Sequence, residues 1–283
     1  MTAATPPGPV VSAEWLAARL DDPGIRIVDA TVHLPDTGRN AKQEYLQAHI
    51  PGAGFFDFEV IADPANPLPR KFPPAEVLAR EAGRLGIGND THVVAYDTPG
   101  LYSAARVWWL LRQYGHQRVS ILDGGLKHWK ALGLPLQSGP VEFAAARFHA
   151  GAAADQLALW PAVLAASADP NEQILDARTP GRFAGTEQDR YPGTRAGHIP
   201  NSLNLYWADL LDPESRRLLP VDQLRERFSN AGIRWDKPVT ATCGSGLTAC
   251  ILALGLHLCG KDDCKVYDGS WDEWGRRQDL PVA

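Results

Sequence analysis

The sequence predicts an α/β protein built twice, as two tandem units that are each a mainly parallel sheet flanked by helices. Two observations predict this. The chain repeats itself: Ile27-Val-Asp-Ala30 recurs as Ile174-Leu-Asp-Ala177, His49-Ile-Pro51 as His198-Ile-Pro200, Gly86-Ile87 as Gly232-Ile233, Leu122-Asp-Gly-Gly125 as Tyr267-Asp-Gly-Ser270, and Leu134-Pro135 as Leu280-Pro281, all at offsets of 145 to 149 residues. Such small drift is expected of one ancestral unit used twice with short loop insertions. Within each copy, short apolar runs alternate with amphipathic segments, the pattern of βαβ units and a sheet covered on both faces.

In the first copy, Ile25–Ala30, His92–Tyr96 and Val119–Leu122 read as buried strands, and in the second Gln173–Ala177, Val239–Thr242 and Lys265–Tyr267 do. Their apolar, partly β-branched composition suits strands buried on both faces. Glu76–Leu85, Ser103–Tyr114, Asp222–Ala231 and Thr248–Leu258 read as the intervening helices. The expected domains are 1–145 and 155–283, joined through the small-residue and polar stretch around 139–154.

Composition excludes several classes of function. The 283 residues carry a net charge of −5, without the positive footprint of a nucleic-acid binder. An anionic substrate must be met by a local group of cations. All four cysteines fall at or after residue 243, unlike a secreted disulfide scaffold. Residues 1–9 lack the basic and apolar regions of a signal peptide, and the most apolar run, Thr248–Cys259, is too short to span a bilayer. A cytoplasmic location and no membrane partner are expected. No CxxC pair or matching histidine pair accompanies Cys259 and Cys264, so no metal or other cofactor is expected.

In parallel sheets, ligands bind beyond the carboxyl ends of strands. After the strand ending at Tyr96 comes Asp97-Thr-Pro-Gly-Leu-Tyr-Ser103, and after the one ending at Thr242 comes Cys243-Gly-Ser-Gly-Leu-Thr248. The second loop is suited to a reactive thiol. Its glycines let successive backbone N–H groups converge, and the following helix directs its positive end at the same point. A thiolate there is stabilised, which favours Cys243 as a nucleophile; Cys250 and Cys259 read as core. In the first copy Asp97 stands where Cys243 does, and no cysteine precedes residue 243, so that copy is expected to be catalytically inactive. A phosphatase C-x5-R loop would need arginine at 249, where this chain has Ala249.

The tandem repeat, His49-Ile-Pro-Gly52, Leu122-Asp-Gly-Gly125, His198-Ile-Pro200, Cys243-Gly-Ser-Gly-Leu-Thr248 and Tyr267-Asp-Gly-Ser270 with Trp271 and Trp274 resemble the two-domain rhodanese superfamily. The Cys-Gly-Ser-Gly-x-Thr loop is similar to that of the 3-mercaptopyruvate sulfurtransferase type; the thiosulfate-using rhodaneses carry Cys-Arg-Lys-Gly-x-Thr. The resemblance implies two tandem rhodanese-like domains and a sulfur relay through a Cys243 persulfide, from 3-mercaptopyruvate to cyanide, a small thiol or thioredoxin, with release of pyruvate. It implies a cradle of backbone N–H groups from Gly244, Ser245, Gly246, Leu247 and Thr248, and catalytic roles for Ser245 and Asp57. Arg182 matches a substrate-binding arginine; a second is Arg190, with Arg195 as the alternative. A neutral loop fits a donor whose carboxylate lies away from its sulfur, and an arginine fork suits that carboxylate.

One position departs from the pattern. Where the resemblance leads one to expect a histidine, this chain has Arg70, and no histidine lies between His49 and His92. Arginine is no general base at neutral pH, but Arg70 can pair with Asp57 or hold the carboxylate. Its charge keeps thiosulfate open as an alternative donor. A non-catalytic binding module is the reading from another class, which Cys243 argues against. His49 and His198 share one repeat motif and read as structural.

Overall fold

The computed structural model describes residues 8–34 and 37–283; most of the segment read for a leader lies outside them. The chain divides into two compact units. The first comprises residues 1–65, 72–153 and 214–217, and the second residues 66–71, 154–213 and 218–283. Each half of the sequence thus lends a short segment to the unit formed by the other.

The first unit carries strands β1 (Val10–Val11), β2 (Ile25–Asp29), β3 (Gly54–Phe55), β4 (His92–Tyr96) and β5 (Val119–Leu122), in the order β1-β5-β4-β2-β3. All pairings are parallel. The second carries β6 (Leu157–Ala158), β7 (Gln173–Asp176), β8 (Leu203–Asn204), β9 (Val239–Thr242) and β10 (Cys264–Tyr267), in the order β6-β10-β9-β7-β8, again all parallel. The two orders correspond strand for strand, as the sequence repeat requires. The four outer two-residue strands carry too little apolar pattern to be read from sequence, and they form because their neighbours offer paired backbone groups.

Helices α1 (Ala13–Ala17), α2 (Ala41–Gln47), α3 (Ala75–Arg84), α4 (Ala104–Gln113) and α5 (Gly125–Ala131) surround the first sheet. The second has α6 (Trp160–Ala168), α7 (Pro180–Phe183), α8 (Val221–Asn230), α9 (Ala249–Leu258) and α10 (Ser270–Trp274). The four longer helices expected from sequence lie within a residue or so of α3, α4, α8 and α9. Helix α9 is buried along nearly its whole length, which explains its continuous apolar run. One core cluster per unit repeats too: Leu122, Leu126 and Trp129 in the first have the counterparts Tyr267, Trp271 and Trp274 in the second. Trp271 and Trp274 are therefore core residues. Among the described residues no helix is long and apolar enough to cross a membrane.

Candidate active site

Strand β9 ends at Thr242, and the chain turns through 243–248 into α9. Cys243 is buried at the head of this turn, 1% exposed. Its Sγ accepts the Gly246 N–H at 3.1 Å. The turn is shaped by what holds its carbonyls. Cys243 O accepts Trp271 N–H at 2.9 Å, Gly244 O accepts Asp272 N–H at 2.8 Å, and Ser245 O accepts the Lys71 ammonium at 3.1 Å. Carbonyl and N–H point in opposite directions across a trans peptide, so the N–H groups of Gly244, Ser245 and Gly246 are directed away from those three partners. Gly246 has φ +87°, which its missing Cβ permits. At Gly244 a Cβ would lie 2.5 Å from Tyr191 Cε2, so only glycine lets that ring close against the loop.

The turn after β10 supplies a second wall. Ser270 Oγ lies 3.8 Å from Cys243 Sγ, accepts the Cys243 N–H at 3.1 Å and donates to Tyr267 O at 2.8 Å. Ser270 has φ +50°, an uncommon conformation for a residue with a Cβ. The Lys71 ammonium also donates to Asp268 O in the same turn, at 3.0 Å. Ser245, read from sequence as a catalytic hydroxyl, is buried at 6% exposure, and among the described residues its Oγ makes no hydrogen bond. Leu247 and Thr248 are buried as the turn enters α9.

The matching turn of the first unit shows what such a loop does with a negative charge. Asp97 Oδ1 accepts the N–H groups of Gly100 and Leu101, both at 2.9 Å. Its Oδ2 accepts those of Tyr102, Ser103 and Ala104 at 2.7, 2.8 and 2.8 Å. Gly100 has φ +86°, close to the +87° of Gly246.

The arginines separate by what they already hold. Arg178 is buried between Asp176 (2.8 Å) and Asp189 (2.9 Å), with its guanidinium over the Trp271 ring at 4.3 Å. Arg195 Nε and Nη2 donate to the carbonyls of Gly275, Trp274 and Arg277. Arg182 sits in α7 and gives only its Nε, to Thr179 Oγ1 at 3.1 Å, leaving both terminal nitrogens without a bond among the described residues. Arg190 is exposed, and among the described residues only its backbone N–H is bonded, to Asp189 Oδ1. Arg70 is half-buried with φ +59°, in the 66–71 segment that belongs to the second unit. Asp57 belongs to the first unit, where it faces Lys42 Nζ at 3.9 Å and lines a cleft with Tyr45, Glu81 and Phe143.

Both repeat histidines serve the fold. His49 Nδ1 bonds Tyr45 O at 2.7 Å and its ring stacks on Tyr45; His198 Nδ1 bonds Phe183 O at 2.9 Å and stacks on Phe183. Among the described residues no cysteine is joined in a disulfide. Burial pushes the Cys259 thiol up and the Cys264 thiol to about 12, so both stay protonated at neutral pH.

Sequence reasoning missed Ser270, Tyr191 and Lys71. Ser270 had a signal, since it replaces Gly125 of the first copy in an otherwise matching motif. Lys71 and Tyr191 stand outside every repeated motif.

Comparison with known proteins places this chain in a family. The model of the rhodanese-like domain matches twice, at residues 12–132 and 161–277, and the chain belongs to the rhodanese family in its two-domain form. Within it, the chain is 44% identical to human 3-mercaptopyruvate sulfurtransferase over 281 residues, covering 95% of this chain and 92% of the relative. It is 41% identical to the mitochondrial thiosulfate/3-mercaptopyruvate sulfurtransferase 1 of Arabidopsis thaliana, covering 97% and 78%. The crystal structure of SseA from Escherichia coli, a 3-mercaptopyruvate sulfurtransferase, superposes with a TM-score of 0.85 at 40% identity, covering 93% of this chain and 98% of that one.

Proposed function

We propose that this chain is a sulfurtransferase that moves the sulfur of 3-mercaptopyruvate through a persulfide on Cys243 to a thiol or cyanide. The observation that carries the reading is the bond from Gly246 N–H to Cys243 Sγ at the carboxyl end of β9, inside a turn whose first three carbonyls are held by partners on the opposite side of their peptides.

In the first half-reaction the Cys243 thiolate attacks the donor's thiol sulfur. An S–S bond forms and the C–S bond breaks, with its electron pair passing to carbon as the enolate of pyruvate, which a proton then quenches. The outer sulfur of the persulfide stands one atom beyond Sγ, as Oδ stands one atom beyond Cγ in Asp97. The cradle of N–H groups from Gly244 to Thr248 receives its charge there, with Gly246, Leu247 and Thr248 matching the Asp97 donors Gly100, Leu101 and Tyr102, an oxyanion-hole arrangement adapted to sulfur. In the second half-reaction an acceptor thiolate or cyanide takes the outer sulfur and Cys243 leaves as thiolate. Arg182 holds the donor's carboxylate with its two uncommitted nitrogens, Arg190 and Arg70 assist, Ser245 hydrogen-bonds near the reacting sulfur, and Asp57 keeps the catalytic role that the family resemblance implies. The N-terminal copy, residues 1–145 of the sequence, is inactive, and 155–283 carries the active cysteine. The cytoplasm suits a chain whose four cysteines form no disulfide among the described residues.

Thiosulfate is the second donor, favoured by the cations Arg70 and Lys71 carried on the 66–71 segment of the second unit. Intact-mass measurement after adding 3-mercaptopyruvate without acceptor tests the main reading. One sulfur gained by the parent and none by Cys243→Ser supports it; equal gain by the variant overturns it. Steady-state kcat/KM with the two donors decides between them.

A further inference from the structure

Lys71 is an unusual residue to bury. It is 2% exposed, and its ammonium spans both walls of the sulfur site, donating to Ser245 O at 3.1 Å and Asp268 O at 3.0 Å. An apolar side chain of equal length could anchor the 66–71 segment without the cost of desolvating a charge, so the charge calls for a reason.

The Ser245–Gly246 peptide supplies one. Its N–H is the group bonded to Cys243 Sγ, and its C=O is the group bonded to Lys71. We propose that Lys71 is a positioning residue for the reacting sulfur, acting through this single peptide: the ammonium fixes the Ser245 carbonyl outward, keeps the Gly246 N–H on the sulfur and polarises that donor. The inference rests on Cys243 being the sulfur carrier.

Three observations support it. The preceding carbonyls, Cys243 O and Gly244 O, are pinned by backbone N–H groups of Trp271 and Asp272, whereas the third depends on a side chain. That third peptide enters Gly246, at φ +87°, where absence of a Cβ makes a peptide flip inexpensive. A flip would put a carbonyl oxygen, rather than an N–H, against a negatively charged sulfur. Finally, a cation–carbonyl bond is stronger than a neutral one, and serial hydrogen bonds polarise one another, so Lys71 Nζ, the peptide and Sγ reinforce each other in order. Through Asp268 O the same ammonium steadies the turn that carries Ser270 Oγ to 3.8 Å from Sγ.

The test uses the full chain with Lys71→Met and Lys71→Gln, which keep length but not charge. Pyruvate release from 3-mercaptopyruvate with 2-mercaptoethanol gives kcat and KM. The rate of iodoacetamide alkylation of Cys243, read by peptide mass at fixed pH, reports the sulfur without any donor. Because direct loss of an oxyanion-hole donor costs about 100- to 1000-fold in kcat, loss of the group behind a donor is expected to cost about tenfold, with KM within about twofold. Alkylation should slow to a similar extent. Two folded variants whose kcat and alkylation rates match the parent overturn the proposal, as does failure of both to fold, which would make Lys71 a structural anchor only. If the parent releases no pyruvate, the sulfur-transfer reading fails, while the alkylation comparison still judges Lys71.

Discussion

The Asp97 carboxylate occupies, within the first repeat, the turn that Cys243 heads within the second, and it does so as an anion wrapped by its own loop. Five consecutive N–H groups, from Gly100 to Ala104, close on its two oxygens at 2.7–2.9 Å, where Cys243 Sγ accepts the Gly246 N–H at 3.1 Å and has Ser270 Oγ at 3.8 Å. One duplicated turn has been given an internal anion in one copy and left with donors to spare in the other. Asp97→Ala should orphan all five donors in a buried loop and cost about 3–5 kcal/mol of stability, measured by denaturant unfolding. Asp97→Asn should cost less, about 2 kcal/mol, since an amide oxygen still accepts part of the set.

Ser270 and Gly125 are the corresponding residues of the two repeats, with φ +50° and +54°. The second copy therefore keeps a left-handed backbone while adding a side chain that disfavours it. Ser270→Gly and Ser270→Ala both remove the hydroxyl beside the sulfur, and both should lower kcat about tenfold, which corresponds to ~1.4 kcal/mol. Their stabilities should differ: the glycine variant is expected to be about 1 kcal/mol the more stable, because alanine retains the strain. Equal melting curves for the two would remove strain from the explanation.

On the proposed function, Arg182 and Arg195 offer a contrast between holding substrate and holding the fold. Arg182→Ala should raise KM for 3-mercaptopyruvate by about tenfold or more with little change in melting temperature, as expected for loss of a charge-assisted carboxylate contact. Arg195→Ala removes the guanidinium from three backbone carbonyls, of which Gly275 O and Trp274 O keep a backbone N–H, and should mainly lower the melting temperature. A KM effect confined to Arg195 would reverse the assignment.

The first unit carries two buried titrations of opposite sign. Burial raises the Asp29 carboxyl from 3.8 to about 6, so the stability its neutral form contributes is fully present below pH 3.8 and is lost as pH rises through about 6. Burial, with nearby Arg118, lowers His92 from 6.5 to about 4, so its contribution is present above pH 6.5 and is lost as pH falls through about 4. Its Nδ1 is buried without a partner, which disfavours a proton there. Between about pH 4 and 6 the two slopes oppose each other. His92→Gln should leave stability falling with rising pH across this window, by about 2–3 kcal/mol in all, and Asp29→Asn should leave it rising. Unfolding free energies at half-unit pH steps would show either slope.

Much of this was readable in advance because the repeat supplies its own control. Strands such as His92–Tyr96 and Val239–Thr242 announce themselves by composition, and comparing two copies exposed Cys243 against Asp97 without any other sequence. The Ser270-for-Gly125 exchange carried the same kind of signal. What stayed hidden depends on long-range placement. Lys71 lies 174 residues from Ser245, whose carbonyl it holds, and a lysine between Arg70 and Phe72 has no periodicity to mark it as buried. The committed state of Arg195 was equally invisible, because its acceptors are carbonyls some 80 residues away. Hydrophobic pattern reports which face of an element is covered; it says nothing about which charge ends against which backbone atom.

The traded segments bear on how this duplicated protein can be taken apart. A fragment beginning at residue 155 would possess the thiol, its turn and Ser270 but not the lysine contributed from residues 66–71. Ancestry gave the chain two equivalent halves, yet the later half no longer owns everything its chemistry leans on, so scissors placed at the obvious seam would separate a nucleophile from its support.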